Sequence, residues 1–176
     1  ERQLDLRLRR VQVSELAERA VRAAAPAYAA KGVELLRAPE RGKAEVEADP
    51  DRIAEVLANL LENALRHTPA GGRVEVGWRR GGDEVEVSVA DTGEGIAASH
   101  LPRVFERFYR ADRARSRSSG GSGIGLTIAR AIVQAHGGRI RAESPGAGKG
   151  TRVVVTLPLA GRGAVLAARA RARPPM

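Results

Sequence analysis

The sequence predicts an α+β fold in which one antiparallel or mixed sheet carries helices on one face. Three observations support this. Residues 73–90 and 139–157 each alternate apolar and polar side chains around a turn, as half-buried hairpins do. Residues 14–30 and 50–67 repeat their apolar side chains at helical spacing. No regular strand-helix-strand rhythm runs through the chain, so an all-parallel sheet is not expected.

Leu4, Leu6, Leu8, Val11 and Val13 alternate over 4–13, which predicts a strand or a short pair. Ser14 is placed to cap a helix through Ala30, with Glu15 and Glu18 near its positive end and Gly32 beyond its C-terminus. Val33–Leu36 and Ala44–Ala48 read as short strands. Asp49-Pro50 is a strong helix start, an N-cap acid before proline at the first helical position. Ile53, Val56, Leu57, Leu60, Leu61 and Ala64 then make 50–67 amphipathic. Strands follow at Arg73–Trp78 and Glu84–Ala90, joined through Gly81-Gly82-Asp83. Residues 91–123 are polar and Gly- and Arg-bearing, with helical hints only around Leu101–Phe108, and so long a connection inside a domain is usually functional. A helix over 124–136 is marked by Ile124, Ile128, Ile132 and Ala135 and ends at Gly137-Gly138. Strands Arg139–Ser144 and Thr151–Leu157 turn through Pro145–Gly150, and Pro158 stops the last of them. The expected domain is 1–160, with 161–176 an Ala/Arg-rich flexible tail.

Length and composition limit the function classes. The 176 residues fit one domain. The absence of cysteine excludes disulfides, a zinc ribbon and a thiol nucleophile. No apolar run reaches the ~18–20 residues needed to cross a bilayer. The only methionine is Met176, so the chain is expected to be part of something longer. Net charge is +9, but three of the 30 basic residues are lysine and 27 are arginine, in an Ala-rich background that reads as coding bias. Five aromatics offer few stacking platforms, which argues against a nucleic-acid partner.

Three segments could do chemistry. In 50–67, Asn59, Asn63 and Arg66 share one narrow stripe at the edge of the apolar face. Two mid-helix asparagines one turn apart are a local cost. Their amide oxygens suit a hard cation such as Mg2+ and Arg66 suits phosphate, although a solvated flank would look the same. Asp91-Thr92-Gly93-Glu94-Gly95 closes a strand with a carboxylate able to accept from an exocyclic amine, beside glycines that let a flat ring approach. Ordinary turn chemistry gives similar sequences. Gly120-Gly121-Ser122-Gly123-Ile124-Gly125-Leu126 opens a helix, where free N–H groups favour an anion. It is neither a dinucleotide fingerprint, since it follows a charged loop, nor a Walker A loop, since no Lys-Ser or Lys-Thr follows the glycines. Between these motifs Arg103, Arg107, Arg110, Arg113, Arg115 and Arg117 face only Glu106 and Asp112, a net +4 that would suit a triphosphate as a lid.

In their order these segments resemble the ATP-binding catalytic domain of sensor histidine kinases, in the Bergerat-fold ATPase superfamily. Asn59–Thr68 (NLLENALRHT) is similar to the N box, Asp91–Ile96 (DTGEGI) to the G1 box and Phe105–Arg110 (FERFYR) to the F box. Gly121–Leu126 (GSGIGL) resembles the G2 box and Gly148–Thr151 (GKGT) the last glycine motif. The resemblance covers about 10–159 and implies a two-layer α/β sandwich with a mixed, mostly antiparallel sheet.

It further implies that Asn63 ligates Mg2+ on the phosphates of ATP, with Asn59 in support, and that Arg66 and His67 lie near phosphate and nucleoside. Asp91 would accept the adenine amine, with Gly93, Gly95, Ile96 and Thr151 completing that end. Arg110 would reach the γ-phosphate, and Gly121, Gly123, Gly125 and Leu126 would bring backbone N–H groups to the phosphates. Hydrolysing relatives carry a Glu where this chain has Asn59, and Glu55 and Glu62 miss that position, so a phosphoryl donor is expected rather than an efficient hydrolase. The acceptor histidine lies on a separate dimerisation domain in the family. His67 and His136 fall inside the motifs and His100 opens the lid, so none is expected to be the acceptor. The resemblance implies a cytoplasmic catalytic half whose parent is a homodimeric, membrane-anchored sensor serving a response regulator. A serine kinase of the anti-sigma-factor type and a degenerate nucleotide-binding or partner-binding module are the alternatives; the F box speaks against the first, and Asn63, Asp91, Gly123 and Gly125 against the second.

Overall fold

The computed structural model describes residues 5–107, 109 and 123–161. The elements in chain order are β1 (Arg9–Gln12), α1 (Val13–Lys31), β2 (Glu34–Arg37), β3 (Glu45–Ala48), α2 (Pro50–His67), β4 (Arg73–Gly81), β5 (Glu84–Asp91), a 3-10 turn at Leu101–Arg103, α3 (Gly125–Ala135), β6 (Arg139–Glu143) and β7 (Thr151–Pro158). The main sheet has the order β2-β4-β5-β7-β6, and β1 and β3 pair separately. Only β2 and β4 are parallel, so the sheet is mixed and mostly antiparallel, as expected.

The alternation of the hairpins puts Val74, Val76 and Trp78, Val85, Val87 and Val89, and Val153, Val155 and Leu157 into one buried cluster with the apolar stripes of all three helices. The helices therefore lie on one face of the sheet. The opposite face is roofed by ion pairs. Arg141 on β6 reaches Glu86 on β5 at 3.1 Å, and β7 lies between those strands, so the pair passes over β7. Arg79 also meets Glu86, and Arg139 meets Glu84, both at 2.7 Å. Beneath this roof Val154 is 0% and Thr156 2% exposed, although both point away from the helices.

Several expectations are corrected. The first helix starts at Val13, and its N-cap is Gln12, which makes no side-chain cap bond, rather than Ser14. A tertiary bond replaces the cap: the Val13 N–H donates to Ala44 O at 2.9 Å. Among the described residues of 4–13, only Arg9–Gln12 is strand, and its partner is β3. Ile128 is 38% exposed and Ala135 is exposed, because α3 buries Ala129, Ile132 and Val133 instead. Strand ends elsewhere differ by a few residues; β4 runs on to Gly81, β5 to Asp91 and β6 stops at Glu143. Among the described residues no helix is long and apolar enough to cross a membrane.

Candidate functional site

Asp49 places the first of the candidate helices. Its Oδ1 accepts from the N–H groups of Asp51 and Arg52 at 3.1 and 3.2 Å, the N-cap that the Asp-Pro pair predicts. Its Oδ2 accepts from the Arg7 N–H at 2.9 Å, and this bond is the largest cause holding the carboxyl below its ordinary value. The Asp49 N–H donates to His136 Nε2 at 3.0 Å, while His136 Nδ1 donates to Ile132 O at 2.8 Å. The start of α2 thus meets the end of α3. Farther along, Asn59 Oδ1 lies 3.4 Å from where a Cβ on Gly125 would stand, so the two helices run antiparallel and Asn59 faces the start of α3.

Asn59, Asn63 and Arg66 are all half-buried on the flank that their spacing predicts. The amides of Asn59 and Asn63 have no hydrogen-bond partner among the described residues, whereas Arg66 is held by Glu62 at 2.8 Å. The end of α2 is fixed from α1. Tyr28 Oη donates to Leu61 O at 2.7 Å and Lys31 Nζ to Leu65 O at 2.6 Å. Burial, with the Asp91 charge second, pushes the Tyr28 hydroxyl well above its ordinary value and keeps it a donor.

Asp91 is the last residue of β5, directly across from Thr151, the first of β7. Its Oδ1 accepts from the N–H groups of Gly93 at 2.9 Å and Thr151 at 3.2 Å. Burial raises the carboxyl above its ordinary value, and these two bonds oppose the rise. His67 Nδ1 lies 3.2 Å from Glu94 Oε2, which ties the end of α2 to the loop after β5.

Three glycines make the loops fit. A Cβ on Gly93 would overlap the His67 carbonyl, one on Gly95 the Gly146 carbonyl, and one on Gly150 the Asp91 carbonyl. The Gly150 N–H donates to Gly93 O at 3.1 Å and the Ile96 N–H to Ser144 Oγ at 3.0 Å, so the loops 93–96 and 144–150 form one unit. Gly123 has φ +67° just before α3, and Leu126 packs against the core. After β5, His100 Nδ1 meets the Tyr109 hydroxyl, with the Arg103 guanidinium 4.4 Å over the tyrosine ring. Thr127 Oγ1 donates to Phe105 O at 3.1 Å, holding the F-box phenylalanine to α3.

The candidate residues of α2, the loop after β5 and the start of α3 and β7 therefore converge at one end of the sheet. Arg110, Gly121 and lid residues Arg113, Arg115 and Arg117 lie outside the described residues. Tyr28, Lys31 and Ser144 hold the backbone of these segments by side-chain hydrogen bonds that the sequence does not announce. Tyr28 and Lys31 sit one turn apart at the end of a helix, but nothing local says that their partners are carbonyls over 30 positions away. Ser144 stands before Pro-Gly, where a hydroxyl reads as turn chemistry.

Residues 48–161 match the family of histidine kinase-, DNA gyrase B-, and HSP90-like ATPases, and the chain belongs to that family. ATP is the ligand such a domain implies. Within the family, sensor protein IrlS of Burkholderia pseudomallei (strain K96243) is 47% identical over 104 residues, 59% of this chain and 22% of that protein. Sensor histidine kinase CusS of Escherichia coli (strain K12) is 45% identical over 128 residues, 73% of this chain and 26% of that protein. Full-length ShkA, solved in complex with AMPPNP, superposes with a TM-score of 0.78 at 29% identity, over 89% of this chain and 32% of that one. The chain corresponds to the catalytic ATPase domain of sensor histidine kinases and spans only 22% and 26% of IrlS and CusS.

Proposed function

We propose that this chain binds Mg-ATP and donates the γ-phosphoryl group to a histidine on a dimerisation domain of its parent protein. The observation that carries the reading is the Asp91 carboxylate. Two backbone N–H groups occupy Oδ1, which leaves Oδ2 to accept from the adenine amine, and glycines on both adjoining loops bring the backbone close. Gly93, Gly95, Ile96 and Thr151 complete the base end, and His67 lies toward the nucleoside. The phosphates extend toward the start of α3, where Gly123, Gly125 and Leu126 offer N–H groups at the positive end of the helix dipole. Arg66, on turning from Glu62, meets the phosphates, and Gly121 and Arg110 act from the segment beyond the described residues.

The donor set fits Mg2+. The half-buried Asn63 amide is neutral, has an oxygen donor without a partner among the described residues, and stands one turn after Asn59, which faces the start of α3. The Asn63 amide oxygen would hold the cation, which would supply positive charge to offset that of the phosphates. In the transfer, the bond between the γ-phosphorus and its bridging oxygen to the β-phosphate breaks, a phosphorus–nitrogen bond forms on the imidazole, and ADP leaves. With Asn59 where hydrolysing relatives carry Glu, water is not efficiently activated, and the acceptor supplies its own base.

The domain spans 1–160; the tail expected over 161–176 falls, apart from Gly161, outside the described residues. The parent is a homodimeric, membrane-anchored sensor with this domain on the cytoplasmic side, and its phosphohistidine serves a response regulator. The test incubates the chain with γ-labelled ATP and Mg2+, alone and with the dimerisation domain of the parent. Acid-labile, base-stable label on the dimerisation domain and none on the chain alone is the expected result. Acid-stable label on serine, or no transfer to the dimerisation domain, refutes the proposal.

A further inference from the structure

Ser144, just after β6, has one hydroxyl proton and two lone pairs, and all are used, two within its own 144–150 loop and one across to the loop after β5. The proton goes to Gly150 O at 2.7 Å. The lone pairs accept from the N–H groups of Ile96 at 3.0 Å and Gly146 at 3.3 Å. Gly150 O and Thr151 N belong to one planar peptide unit, so fixing the oxygen fixes the direction of the N–H on its other side. That N–H is the one that donates to Asp91 Oδ1 at 3.2 Å. An unbroken line therefore runs from the Ile96 N–H through the Ser144 hydroxyl and the Gly150–Thr151 peptide to the Asp91 carboxylate, each hydrogen bond polarising the next. Gly150 holds φ +75°, a conformation open to glycine, and a Cβ there would overlap the Asp91 carbonyl, so no side chain fixes this peptide and its orientation rests on its hydrogen bonds.

We infer that Ser144 is a positioning residue for recognition of the purine 6-amino group: by orienting the Gly150–Thr151 peptide it keeps Oδ1 of Asp91 occupied and Oδ2 directed to the base. The inference rests on the ATP-site reading above. It predicts that Ser144 governs discrimination between bases more than affinity for the phosphates, which are bound at the far end of the site.

The test compares, by calorimetry on the whole chain, ADP with purine riboside diphosphate, which lacks the 6-amino group. The wild-type chain should prefer ADP by about tenfold, the value of one hydrogen bond to a charged acceptor. Ser144→Ala should lose most of that preference while binding purine riboside diphosphate as the wild type does, and Ser144→Thr, which keeps the hydroxyl, should restore it. If Ser144→Ala does not fold, Ser144→Cys, similar in size but a weak hydrogen-bonding partner, gives the same reading. A variant without the hydroxyl that folds and keeps the wild-type preference overturns the inference and leaves the ATP site standing. A wild-type chain that binds neither nucleotide, or binds both equally, overturns the ATP-site reading and this inference with it.

Discussion

The backbone N–H of Asp49 donates to Nε2 of His136 at 3.0 Å, with both residues under a tenth exposed. Ten residues on, Asn59 faces Gly125. Two contacts about 15 Å apart along the helix therefore set how α2, bearing the asparagines, lies against α3, bearing the glycine-rich start. Asp49 also accepts from the Arg7 N–H, so the segment before β1 is joined to both helices at one residue.

His136→Phe leaves the Asp49 N–H buried without an acceptor. It should cost about 1–3 kcal/mol of stability in urea unfolding, and an unchanged midpoint would show that water replaces the imidazole.

Glycine substitutions should divide by what surrounds them. Gly93→Ala and Gly150→Ala drive a methyl group into the His67 and Asp91 carbonyls and should abolish nucleotide binding. Gly148 has φ +77° but open space around it, so Gly148→Ala should cost only the left-handed strain, about 1–2 kcal/mol. Equal losses at all three positions would contradict this geometry.

Burial raises the Asp91 carboxyl. For folding, a raised carboxyl contributes stability below its unfolded value, and that contribution is lost as pH rises through the folded value. Binding an amine donor makes the opposite demand, since the acceptor must be ionised. Affinity for adenine nucleotides should therefore fall as pH drops through the raised value, at a higher pH than the ~3.9 of a free aspartate. Calorimetry between pH ~8 and ~4 checks this, and affinity that holds down to the ordinary aspartate range would refute it.

On the open face, Arg79 holds Glu86 below its ordinary value, with Arg141 as a second partner. Glu86→Gln should cost about 1 kcal/mol, less in high salt. The wild-type contribution is present above the ordinary glutamate range and lost as pH falls through the lowered value. Urea melts at two salt concentrations measure it, and a variant whose loss is the same in both would assign the effect to packing.

The sheet and α2 were legible because hairpin alternation and an Asp-Pro start are local signals with one physical meaning. The mixed sheet could be expected, but the β1–β3 pair and the parallel β2–β4 contact join segments distant in sequence, and four-residue strands carry too little pattern to reveal their partners. The start of α1 was misread because a tertiary carbonyl, Ala44 O, does the work of a local cap. Ile128 follows the apolar period yet stands out of the core, since periodicity says that a helix has an apolar face but not where its burial ends. In the site, Asn59 and Asn63 could be singled out because a polar residue at a local cost suggests a use, and Asp91 because a carboxylate ends a strand beside two glycines. Ser144, Tyr28 and Lys31 serve the same site through backbone partners that no motif records.

The central claim is tested most directly by titrating the chain with a non-hydrolysable ATP analogue, with and without Mg2+, beside Asp91→Asn and Asn63→Ala. The wild type should bind with micromolar to sub-millimolar affinity, strengthened by Mg2+. Asp91→Asn should lose binding, and Asn63→Ala should lose the Mg2+ dependence. A folded wild-type chain that does not bind the analogue would contradict it, as would binding that neither substitution changes.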